Sequence, residues 1–146
     1  MSTRSTTHFV VGTNLSAIVY RHSDGYPEGA GRDINTFLSL CAKLKDGRLD
    51  DPSYLAAKYV VYLADMFNNR LEKQANGEYG YTRNASKLDF LSVGVMQSDP
   101  CDIEYRYVID CGNLVKGKPT VTCYEVGECD TYTPVKIPRG RNNWSK

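Results

Sequence analysis

The chain has 146 residues, 41% of them hydrophobic and 24% charged; this is the make-up of one ordinary globular domain, not of a disordered or membrane-embedded segment. Eighteen Lys and Arg against seventeen Asp and Glu leave a formal charge of +1, which excludes both a generally basic nucleic-acid binder and an acidic nucleic-acid mimic. Recognition by such a chain has to be local.

Phe9–Val11, the turn residues Gly12-Thr-Asn14 and the run Leu15–Tyr20 predict a β-hairpin that begins a sheet. Arg21–Asp33 follows, with three glycines and one proline among its residues, and reads as a long ordered loop. Asp33 is placed to cap a first helix with Ile34, Phe37, Leu38, Cys41 and Leu44 at helical spacing, ended by Asp46-Gly47. Asp51-Pro52 starts a second helix, since the carboxylate can cap free amides and proline needs no donor in the first turn. This helix is expected to run to about Leu71, with apolar stripes Leu55/Tyr59/Tyr62/Met66 and Ala56/Val60/Leu63/Phe67. That width fits either a homodimer contact, using Tyr59, Val60, Tyr62 and Phe67, or a central buried helix.

From Glu72 to Lys87 the chain is polar and reads as an exposed connection. Phe90–Met96, Ile103–Cys111 and Thr120–Val126 predict three further strands. The expected fold is α+β: an antiparallel sheet of about five strands, with two consecutive helices between the first hairpin and the later strands. Residues 1–130 form the single domain, and 131–146, with Pro134 and Pro138 and no periodicity, an irregular tail. No run approaches the roughly 20 apolar residues of a membrane span, and Met1–His8 has no apolar signal-peptide core, so a cytoplasmic protein is expected. Cys41, Cys101, Cys111, Cys123 and Cys129 are odd in number, lack CxxC spacing and read as free thiols.

Two polar segments carry candidate chemistry. In the first, Arg21, His22, Tyr26 and Arg32 crowd with Gly25, Gly29 and Gly31 at a strand-to-helix junction. Backbone amides there could approach an anion, and the Arg32 fork suits phosphate. The alternative is an ordered turn with internal salt bridges. In the second, Tyr79, Arg83 and Asn84, with Phe90 and the later Arg106, suit a nucleobase through stacking and amide pairing. Here the alternative is tyrosines packed on the sheet. With two histidines, His8 and His22, and no HxxxH, HExxH, P-loop or GxSxG pattern, neither a metal, a cofactor nor a nucleophile is indicated, and no enzyme is expected.

Ser2–Thr6, Tyr20-Arg-His-Ser-Asp-Gly-Tyr-Pro-Glu-Gly29 and Gly31-Arg-Asp33 resemble a group of small bacteriophage and prophage proteins. Over about the first forty residues the chain is similar to the first type of phage Thoeris anti-defence protein, a non-enzymatic sponge for cyclic ADP-ribose isomers and, in some members, cyclic oligonucleotides. The resemblance implies a small cyclic nucleotide as partner, a homodimer or higher oligomer with pockets near subunit interfaces, and a host bacterial cytoplasm. Two other readings remain open: a protein-interaction inhibitor of host immunity, and a phosphodiesterase acting on such a ligand.

Overall fold

The computed structural model of the protein describes residues 2–74 and 92–141. Within them the elements are β1 (Ser5–Val11), β2 (Asn14–Arg21), α1 (Arg32–Ala42), α2 (Pro52–Gln74), β3 (Val93–Met96), β4 (Tyr105–Val115), β5 (Lys118–Val126) and β6 (Tyr132–Val135). The fold is α+β with two consecutive helices after an opening hairpin, as the pattern predicts. The sheet departs from expectation in two ways. Among the described residues it has six strands, because residues 132–135, read as irregular, pair with β5; Pro134 is accommodated there because β6 ends the strand order, and an edge strand tolerates a missing N–H. It is also mixed: the order is β3-β2-β1-β4-β5-β6, antiparallel throughout except at the centre, where β1 and β4 run parallel.

Strand alternation divides the side chains between two faces. Thr7, Phe9, Val19, Arg21, Tyr107, Ile109 and Cys123 share one face by register, and both helices pack on it. Ile34, Phe37, Leu38 and Cys41 from α1 and Leu55, Tyr59, Leu63, Met66 and Phe67 from α2 complete the core. Tyr59 is its aromatic centre, with ring centroids 5.7 Å from Phe9 and 5.1 Å from Phe37.

The helices begin differently. At α2 the Asp51 carboxylate accepts a hydrogen bond from the Tyr54 amide at 3.4 Å, as the Asp-Pro start predicts. Asp51→Ala is expected to cost about 1 kcal/mol, the usual value for an N-cap, and to lower the Tm by about 2–4 °C in a thermal melt. Asp33, expected to cap α1, does not. The chain is already helical from Pro27, in a π-turn spanning Pro27–Gly31, and α1 starts without a side-chain cap. Asp33 is fully buried and its carboxylate is turned to Arg21.

All five cysteines are free, with Cys41, Cys111 and Cys123 buried and Cys101 and Cys129 exposed. No helix among the described residues is long and apolar enough to cross a membrane.

Candidate functional site

The connection from β2 to α1 is built as a packed knot. Arg21 is the last residue of β2 and, by register with Ser5, points to the helix-covered face. It is 1% exposed. Its Nη1 donates to Asp33 Oδ2 at 2.7 Å, its Nε donates to the Ser23 carbonyl at 2.7 Å, and its guanidinium lies 5.2 Å from the Phe67 ring centre. Burial disfavours the charge, but Tyr59 and Asp33 outweigh it and hold the guanidinium's pKa above its ordinary value. Burial in turn pushes the Tyr59 phenol up to about 12.

The glycines serve packing. A Cβ on Gly29 would lie 2.3 Å from the Asp24 carbonyl oxygen, and one on Gly31 would lie 2.8 Å from an Ile137 methyl. Amides expected to face an anion are already engaged: Gly25 N–H donates to Thr3, Gly29 N–H to Tyr26 and Ala30 N–H to Asp24. Tyr107 closes the knot from β4 by donating its hydroxyl to the Gly25 carbonyl at 2.7 Å. Tyr26 donates to Asp24 at 3.1 Å, and Arg32 is half-buried.

His22 follows Arg21 and so falls on the other face, where no helix packs among the described residues. Tyr20 and His22 form a pair there, the phenol oxygen 2.8 Å from Nδ1. By register Tyr20 lies beside Thr6, Thr6 beside Arg106, and Arg106 beside Tyr124. Tyr20 and Arg106 are therefore two strand spacings apart, about 10 Å. Asp99, in the connection from β3 to β4, reaches into this face. Its Oδ1 is 2.7 Å from His8 Nε2, and its Oδ2 accepts from Arg106 Nε at 2.7 Å and also from Nη2. Arg106 Nη2 donates to the Tyr132 hydroxyl at 3.0 Å, and the guanidinium lies 4.1 Å from that ring's centre. Burial alone would raise the Asp99 pKa, but the hydrogen bonds with His8 and Arg106 bring it down to about 2.

Of the residues the sequence singles out, His22 and Arg106 are brought onto one face, and Arg21 is placed beneath the sheet on the opposite one. Tyr79, Arg83, Asn84 and Phe90 lie outside the described residues. Sequence reasoning does not assign His8, Tyr20, Asp99, Tyr124 or Tyr132 to a site. Period-2 alternation carries Tyr20 and His8 to this face and is readable; nothing local marks Asp99, which meets His8 from 91 positions away. Among the described residues no group of three His, Cys, Asp or Glu is arranged to hold a metal. No protein-family model, curated protein or solved structure matches the chain.

Proposed function

We propose that the protein captures a small cyclic nucleotide, a cyclic ADP-ribose isomer or a cyclic oligonucleotide, without cleaving it, and does so on the helix-free face of the sheet in the cytoplasm of a bacterial host. The observation that carries this reading is the row Tyr20, Thr6, Arg106 and Tyr124 across β2, β1, β4 and β5. It places one tyrosine a strand away from Arg106, at Tyr124, and another two strands away on the other side, at Tyr20. Asp99 and Tyr132 fix the Arg106 guanidinium through Nε and Nη2 and leave Nη1 without a hydrogen bond among the described residues. The His22 ring is held through Nδ1, with no partner for Nε2 among the described residues. Two oriented, partly available donors suit phosphate oxygens, and stacking on a tyrosine is worth roughly 1–3 kcal/mol per base. Tyr26 and Arg32, in the β2–α1 connection, and Tyr79, Arg83, Asn84 and Phe90 remain candidates by their chemistry alone. The same reading takes the protein to act as a homodimer or higher oligomer.

Calorimetric titration with cyclic ADP-ribose isomers and cyclic oligonucleotides tests it. The unaltered protein is expected to bind at least one of them. His22→Ala and Tyr124→Ala are each expected to weaken binding about tenfold, the loss of one charge-assisted hydrogen bond or one stacking plane. Binding of none of these ligands sinks the reading.

The His8–Asp99 pair favours a second reading, since an imidazole oriented by a carboxylate is the usual acid/base arrangement. Heating the complex and analysing the released ligand separates the two: intact ligand for capture, a linear product for a phosphodiesterase.

A further inference from the structure

Of the residues expected to form a dimer contact, Tyr59 and Phe67 are buried in the core of the same chain and Val60 packs against it; Tyr62 packs against it too but keeps part of its surface on a groove between the helices. The exposed apolar surface of α2 lies on its other side. Val61 is 68% exposed, and with Leu40 and Leu44 of α1, 42% and 55% exposed, it borders a groove of about 310 Å³ between the two helices. Three exposed aliphatic side chains around one groove are more than isolated surface residues. Lys58 and Asp65 stand on its rim, and neither has an ion-pair partner among the described residues.

We propose that this groove seats α2 of a second copy of the chain, antiparallel, about a two-fold axis passing between Val61 and Tyr62. The charges select this occupant. A two-fold contact presents the same patch from both sides, and with the axis at that point Lys58 of each chain faces Asp65 of the other. The same operation sets Val61 opposite Tyr62 and places Tyr54, 56% exposed, opposite the exposed Asn69. A parallel arrangement would instead set Lys58 against Lys58. This contact gives the homodimer of the nucleotide reading its interface, but it draws only on side chains of α1 and α2, and its test needs no nucleotide.

Sedimentation equilibrium of the full chain is expected to show a dimer at micromolar concentration. Val61→Glu, at a position 68% exposed in the single chain, is expected to give a folded monomer, with the circular dichroism of the wild type and a melting temperature lower only by what association contributes. Lys58→Asp alone sets two like-charged pairs face to face, as does Asp65→Lys alone, and each is expected to raise the dissociation constant about tenfold or more. Mixing these two variants is expected to restore association as a heterodimer, because both rim positions are then acidic on one chain and basic on the other. Carrying both reversals on one chain is expected to restore the homodimer. A wild type that stays monomeric at about 100 μM overturns the proposal. So does a dimer insensitive to the single reversals, or a mixture that associates no better than its components.

Discussion

Asp33→Ala is expected to destabilise the protein by about 3–5 kcal/mol, the usual cost of removing one partner from a buried ion pair. Arg21 is 1% exposed and its guanidinium cannot turn to water; it would keep the Ser23 carbonyl and the Phe67 face but lose the carboxylate 2.7 Å away. For a domain stable by about 5–15 kcal/mol, this is a large fraction of the whole. Adding Arg21→Met removes the stranded charge and fills its space with an apolar chain. The double variant is expected to recover much of the loss, as buried pairs replaced together often do. Urea midpoints at constant slope measure both effects. A midpoint unmoved in Asp33→Ala, or a double variant no better than the sum of the singles, would show that the pair does not hold the β2–α1 junction.

Acid is expected to remove about 2 kcal/mol of stability through Asp99. Its folded pKa is about 2 against an ordinary 3.8, and each tenfold change in proton affinity is worth about 1.36 kcal/mol. A carboxylate whose pKa is depressed on folding contributes fully above its unfolded value, and the contribution is lost as the pH falls through 3.8 towards 2. The carboxylate side chain is 13% exposed, so solvent screens little of this. Asp99→Asn is expected to be less stable at pH 7 and to show a flatter decline between about pH 4 and 2. Parallel slopes for wild type and variant in that window would count against the His8–Asp99–Arg106 network.

Local signals carry the helices and most strands. Asp51-Pro52 marks the start of α2 because a cap is a property of four consecutive residues, and the hairpin at Gly12 is legible for the same reason. What escapes is set by distant partners. Pro27, read as a breaker, begins a helical turn because a proline at the first position needs no donor. Asp33 has a cap's identity but a buried guanidinium as its neighbour. Reading residues 21–33 as one loop also groups Arg21 with His22; since β2 extends through Arg21, the two point to opposite faces, one beneath the helices and one towards the candidate site. The short strand β6 around Pro134 has no apolar alternation, so only pairing with β5 reveals it.

The parallel ladder at the middle of the sheet has a kinetic consequence. The β1–β2 and β4–β5 hairpins each close over a few residues, whereas β1 meets β4 only by joining Ser5 to Tyr105. Pairings so far apart in the chain must overcome loop-closure entropy before they bring any gain, and they slow folding. The slow step of refolding is therefore expected to be the docking of one preformed hairpin on the other. On the ribosome, β1 must wait for most of the chain to emerge before its second neighbour exists, with one side of that strand open until then.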